Sequence, residues 1–261
     1  MQFSAAMRGV VRHGDHWQGT VSEDWLQGRS AFGGLQAALA LRAMRELVPA
    51  DMPLRTLQVT FLAPVPAGTV EIRATCLRQG RSAMHVEASL GGREQVLCRL
   101  LGVFGNARTS ALNFQPEQPP VVAGGARELH YIDGVMPAFT QHFGARWLRG
   151  ELPFSGGTQR ESVLQLSLRD DGRPDETHVL AFADFIPPIA LSMFDQPIPG
   201  SSLSWMLELL RDRYDDLGMD GWRVDAELLA ARDGYTSQSV MLWGPRGEPV
   251  ALSRQSMVVF G

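Results

Sequence analysis

Three places in this chain combine residue types suited to moving a proton or polarising a carbonyl, and each also has a structural use. Asp184 stands in the apolar stretch Val179-Leu180-Ala181-Phe182-Ala183-Asp184-Phe185-Ile186, at the expected start of a helix. A carboxylate there can take a proton from water as a general base. Asp is equally a preferred N-cap, whose work is to hold the first backbone N–H groups. Gln255 falls in a strand-like run, with Ser253 and Met257 two residues away on either side. Its amide can donate and accept at once, which orients a water, or it can simply face solvent. Gly33-Gly34 opens a helical pattern. A glycine pair at a helix start lets a ligand reach N–H groups that stabilise an oxyanion, or lets the helix sit close against a sheet.

Other chemistries find less to work with. His85 lies on the polar face of an alternating strand beside Glu87, a surface position, and neither it nor His142 is taken as a base. Gly28-Arg29-Ser30-Ala31-Phe32-Gly33 is one residue too long for a Gly-x-Ser-x-Gly elbow and follows no buried parallel strand. There is no Gly-x-Gly-x-x-Gly opening, no P-loop and no metal-ligand spacing. Cys76 and Cys98 both fall inside strand patterns, which points to reduced thiols rather than a disulfide framework.

The elements that must carry these residues come in two rounds. The stretch from Gly80 to Val103-Phe104-Gly105 returns as Gly234 to Val259-Phe260-Gly261, an offset of 156 residues, which is domain-sized. After a strand around Trp17 to Trp25, residues Gly34 to Val48 read as a helix, with Leu35, Leu39, Ala43 and Leu47 four apart and Arg42, Arg45 and Glu46 on a narrow polar face. Pro49 and Pro53 end it. Four alternating strands follow, carrying Leu57 to Phe61, Val70 to Cys76, Met84 to Leu90 and Gln95 to Phe104, with a turn at Gly91-Gly92. Asn106 to Ala126 is polar and proline-rich, with Gly124-Gly125 near its end, and reads as a linker. Beyond it come strands near His142 to Arg149 and Ser162 to Leu168, then a helix expected from His178 to Met193. Strands over Trp205 to Leu210, Val224 to Ala230, Gln238 to Trp243 and Val250 to Phe260 close the second round. Aligning the copies at Val-Phe-Gly sets Arg99 against Gln255 and brings Gly33 or Gly34 near the counterpart of Asp184. The first copy then lacks the Asp/Gln pair, and one site assembled between the halves is expected.

Composition bounds the partners. The 261 residues are 44% hydrophobic, enough for a full core, and the net charge is −4 with no Lys/Arg run. Nucleic acid and anionic membrane are therefore poor partners, and a small molecule is the default. Met1 to His16 lacks an apolar signal region, and no stretch approaches a membrane span of about 18 apolar residues, so a cytoplasmic protein is expected.

Helix then four-stranded meander, written twice, looks like a double hotdog, an α+β fold of two tandem units. Ala31-Phe32-Gly33-Gly34, Arg55-Thr56-Leu57-Gln58-Val59-Thr60-Phe61-Leu62-Ala63-Pro64-Val65-Pro66-Ala67-Gly68 and Arg78-Gln79-Gly80-Arg81-Ser82 are similar to the first half of the TesB-like acyl-CoA thioesterases. The resemblance spans the whole chain, with an N-terminal hotdog over 1–110, a linker over 111–128 and a C-terminal hotdog over 129–261. It implies a cytoplasmic hydrolase of fatty acid metabolism that cleaves acyl-CoA with no cofactor or metal. An Asp at the second hotdog helix, a Thr or Ser on the next strand and a C-terminal Gln would hold the water. These fall on Asp184, Ser202 or, one short word later, Ser204, and Gln255, with Gly33 and Gly34 on the substrate. Two departures stand out: Ser replaces Thr, and Glu208 with Arg211-Asp212-Arg213 follows on that strand. A non-catalytic acyl-CoA binding protein is the alternative, and a hotdog hydratase or dehydratase a more distant one, since fold alone licenses little about reaction. Fusion already satisfies the pairing of the fold, so a monomer is expected, or a homo-oligomer built through sheet edges.

Overall fold

The computed structural model describes residues 1–92, 94–121 and 125–261; Gly124 of the expected linker lies outside the described residues. The first half runs α1 (Phe3–Arg8), β1 (Val11–His13), β2 (His16–Val21), a small hairpin β3 (Leu26–Gln27) and β4 (Ser30–Ala31), α2 (Gly33–Arg45), then β5 (Leu54–Phe61), β6 (Gly68–Gln79), β7 (Ala83–Leu90) and β8 (Cys98–Gly105). The second runs β9 (Arg127–Leu129), β10 (Phe143–Arg149), β11 (Glu161–Leu168), α3 (Glu176–Ala183), β12 (Gly200–Leu209), β13 (Asp220–Arg232), β14 (Tyr235–Trp243) and β15 (Pro249–Val259). Residues 106–121 form neither helix nor strand, and β9 begins inside the span read as linker.

All strands but β3 and β4 join one antiparallel sheet, in the order β1-β2-β6-β7-β8-β5-β12-β15-β14-β13-β11-β10-β9. Read outward from the seam, β5-β8-β7-β6-β2 on one side matches β12-β15-β14-β13-β11 on the other. The seam is a true strand pair, with Val59 opposite Trp205 and Leu57 opposite Leu207. All four side chains are buried, so the alternation that makes each strand amphipathic also makes the two halves share one core. The free edges, β1 and β9, are three residues each, too short to offer much backbone for pairing.

The helices α2 and α3 lie under this sheet. Gly33 to Leu41, Ala43 and Met44 of α2 are buried, which its alanine-rich sequence permits because small side chains let it approach the strands closely. Its N-cap residue, Phe32, has no side chain able to accept from the first N–H groups. In α3, Asp175 is the N-cap, and with His178 it forms a capping box. His178 also meets Asp170 at 3.1 Å, and Asp170 accepts from Ser4, which ties α1 to the start of α3. Where the end of α2 approaches the start of α3, Arg45 Nε donates to Glu176 Oε2 at 2.7 Å, and Glu176 Oε1 accepts from the Leu54 N–H at 2.8 Å.

The helix expected from His178 to Met193 is broken. It ends at Ala183, and Ile189–Met193 forms a separate 3-10 turn. Pro187 and Pro188 explain the break: neither has an N–H for the helical ladder, and each disfavours helical backbone in the residue before it. Asp184 is consequently the C-cap of α3, with φ −95° and ψ −3°, not a helix start. The N-cap role belongs to Asp175.

Alignment by the Val-Phe-Gly words also fails at the level of facing. Phe104 is 0% exposed whereas Phe260 is 61% exposed. Arg99 points away from the core toward Glu87, at 3.2 Å, whereas Gln255 points in. The shift at Leu242/Trp243, where Val250 and Ala251 are both buried, has no counterpart where β7 pairs β8, and it leaves β8 and β15 out of step by an odd number of residues. The first half still places no Asp/Gln pair, but Arg99 is not what stands in for Gln255.

Candidate active site

The N-terminus of α2 meets the C-terminus of α3, and there the five expected residues converge. Asp184 Oδ2 accepts from the Gly34 N–H at 2.6 Å, supplying from the second half the cap that Phe32 cannot give α2. A carboxylate suits that place, since the helix N-terminus carries partial positive charge. Gln255 Nε2 donates to Asp184 Oδ1 at 3.1 Å and to Ser202 Oγ at 2.8 Å. One amide group therefore bridges the carboxylate and the hydroxyl. With its oxygen engaged as an acceptor, the Ser202 hydroxyl keeps its own proton to donate.

A bulge decides which serine takes part. Ser202 is opposite Met257 and Ser204 opposite Ser256, so Leu203 is an extra residue in β12. Plain alternation from Trp205 and Leu207 would turn Leu203 inward and both serines outward. The extra residue reverses parity and brings Ser202 to the inner face beside Gln255, while Ser204 is exposed.

Burial raises the proton affinity of Asp184. Removal from water pushes its carboxyl up to about 7, against the hydrogen bonds from Gln255 and from the Gly34 N–H, which favour the charged form. A carboxyl that exchanges its proton near neutrality is matched to general-base work.

Both glycines are required by crowding. A Cβ on Gly33 would lie 2.7 Å from Asp184 Oδ2 and 3.1 Å from the Phe61 ring. On Gly34 it would lie 2.7 Å from the Phe32 ring and 2.9 Å from the Leu180 carbonyl oxygen. Close approach between helices is thus one reason for the pair. The Gly34 N–H is already spent on Asp184, so of the two only the Gly33 N–H is without a partner among the described residues and left for an oxyanion.

The histidines and cysteines stand apart from this cluster. His142 stacks on Trp25 with ring centroids 4.2 Å apart, and its Nε2 meets Asp24. His85 is on the outward face of β7. Cys98 is buried in β8, which pushes its thiol up to about 12 and leaves it inert as a nucleophile; Cys76 is half-buried in β6. Sequence reading missed Gln238, directly opposite Gln255 on the inner face of β14, whose Oε1 accepts from the Ile189 N–H at 2.8 Å. Its parity with Val240 and Leu242 was the signal that it faces the core.

Residues 115–259 match the acyl-CoA thioesterase C-terminal domain family, and residues 21–105 match the acyl-CoA thioesterase N-terminal domain family. The chain belongs to the acyl-CoA thioesterase family. Solved structures share its fold at low identity. A hotdog-fold protein of unknown function from Alicyclobacillus acidocaldarius has a TM-score of 0.87 at 21% identity, covering 99% of this chain and 98% of that one. The tesB protein of Mycobacterium avium subs paratuberculosis gives 0.79 at 15%, covering 99% and 98%. Acyl-CoA thioesterase II TesB2 of Mycobacterium marinum gives 0.74 at 16%, covering 98% and 97%. No curated protein matches the chain in sequence. The fold of this family member is therefore a double hotdog, each unit a helix wrapped by its sheet. Among the described residues, no helix is long and apolar enough to cross a membrane.

Proposed function

We propose that this family member hydrolyses acyl-CoA to the free acid and CoA by general-base activation of water. The observation that carries the reading is the Asp184 carboxyl, pushed up to about 7 by burial and bridged through Gln255 to Ser202. Asp184 takes a proton from a water that the Ser202 hydroxyl and the Gln255 amide oxygen orient. The resulting hydroxide attacks the thioester carbonyl, and the Gly33 N–H at the start of α2 receives the developing oxyanion. Collapse of the tetrahedral intermediate breaks the C–S bond, and the proton held by Asp184 passes to the departing thiolate. Water has then been divided between acid and thiol, with no covalent enzyme intermediate.

Support comes from the mixed origin of the parts. Gly33 and Gly34 belong to the N-terminal unit, and Asp184, Ser202 and Gln255 to the C-terminal one, so the catalytic group forms only when both units are present. Release of free thiol from short, medium, long and aromatic acyl-CoAs, wild type beside Asp184→Asn, tests the proposal. Hydrolysis of at least one substrate by wild type, lost in the variant, is the expected result. Tight CoA binding without turnover of any substrate would turn the reading to an acyl-CoA binding protein.

A further inference from the structure

The segment that leaves Asp184 has little backbone with which to be held. Pro187 and Pro188 carry no N–H, so Ile189 is the first residue after Ile186 that can be tied through its own amide. That N–H goes to Gln238 Oε1 at 2.8 Å, inside the core. Gln238 is 1% exposed and lies directly across the sheet from Gln255. Its Nε2 is buried and, among the described residues, has no acceptor. Keeping an unmade donor in the core is costly, so this amide needs a compensating use, and its oxygen supplies one.

We propose that Gln238 is a positioning residue for the reaction: by holding Ile189 it pins the 184–188 strap beneath β14 and β15 and keeps the Asp184 carboxylate against Gln255 and Gly34. This rests on the reading of Asp184 as the base. The groups that face the carboxylate are neutral on every side: Gly33 and Gly34 of α2, the Phe61 ring of β5 beside them, and the Gln255 amide of β15 with Ser202 of β12 behind it. Phe185 and Ile186 on the strap itself are buried and apolar. With no charged partner acting on Asp184 among the described residues, its proton affinity depends on how dry the strap keeps it. Release of Ile189 admits water and returns Asp184 toward an ordinary carboxyl.

Gln238→Met keeps length and bulk but cannot hold Ile189. Thr236→Val removes a second buried polar group without a partner among the described residues, the Thr236 hydroxyl two positions along the same face, and serves as the control. Two readouts are compared with wild type: the carboxyl carbon titration of Asp184 by NMR, assigned through Asp184→Asn, and the pH profile of kcat. In Gln238→Met the titration midpoint and the rising limb of kcat both move about one pH unit lower. The kcat plateau falls about ten- to a hundredfold, and KM changes less than about twofold. Thr236→Val moves neither midpoint. An unchanged midpoint in Gln238→Met, or an equal shift in Thr236→Val, overturns the proposal. Gln238→Leu, equally unable to hold Ile189, answers the same question where the methionine variant does not fold. The NMR titration needs no substrate, so a chain that hydrolyses no acyl-CoA removes the thioesterase reading while the midpoint still decides whether Gln238 holds Asp184 in place.

Discussion

Replacing Asp184 by Asn should stabilise the fold, and the gain should widen with pH. The carboxyl has an ordinary value of 3.8 and is pushed up to about 7 by burial, so the folded state holds its proton more tightly than the unfolded chain does. Such a group contributes its full stability below its unfolded value and loses it as pH rises through the folded one. From pH 5 to pH 8 the wild type should lose about 2.5 kcal/mol through this one group, at 1.36 kcal/mol for each unit of pKa difference. Asn carries no such dependence. Its Oδ1 can still accept from the Gly34 N–H, but its Nδ2 then faces the Gln255 Nε2, donor against donor, at a cost of about 1 kcal/mol. That cost is the same at both pH values and cancels in the comparison. Urea unfolding of wild type and Asp184→Asn at pH 5 and pH 8 measures the difference directly. A gap that stays flat or narrows with rising pH would mean that Asp184 ionises as an ordinary carboxylate, and the physical basis for its role as base would be gone.

Ser202→Ala should lower kcat about tenfold or more, because it removes the hydroxyl that Gln255 bridges to Asp184, whereas Ser204→Ala should stay within about twofold. Steady-state kinetics on the pair tests the bulge at Leu203 as much as the chemistry. The kcat profile of wild type should rise through about pH 7 as Asp184 loses its proton and fall away on acidification; a limb centred near pH 4 would assign the base elsewhere. Gly34→Ala forces a Cβ to within 2.9 Å of the Leu180 carbonyl oxygen, where backbone cannot yield cheaply. It should cost about 1–3 kcal/mol in denaturant unfolding and loosen the contact between helices.

Alternation made the two meanders legible, because a strand half-buried against a core writes its facing into every second residue. The prolines after α2 marked its end only approximately, since the helix stops at Arg45 and not at the expected Val48, and the break in α3 should have been legible on the same ground: Pro187 and Pro188 cannot sit in a continuous helix. Asp184 was placed at the wrong end of its helix because Asp is so often an N-cap, and that residue, Asp175, lay nine positions upstream. The choice between Ser202 and Ser204 was beyond pattern reading, since one inserted residue inverts parity and leaves no mark in composition. Arg99 was set against Gln255 by words that match in letters but not in facing. The bond between Asp184 and the Gly34 N–H spans 150 residues, and nothing local announces it.

The ion pair between Arg45 and Glu176 gives the fused molecule a direction. Two like units back to back present two like ends, and a symmetric pair would offer a ligand both. At one end here a carboxylate is answered only by neutral donors and has a proton to trade. At the other, a guanidinium and the Leu54 N–H engage both oxygens of Glu176, and the charge is answered by a charge. On the proposed chemistry each chain is then a single-site unit. It should take up one acyl-CoA, saturate hyperbolically, and pass through none of the half-filled states that make a symmetric pair cooperative.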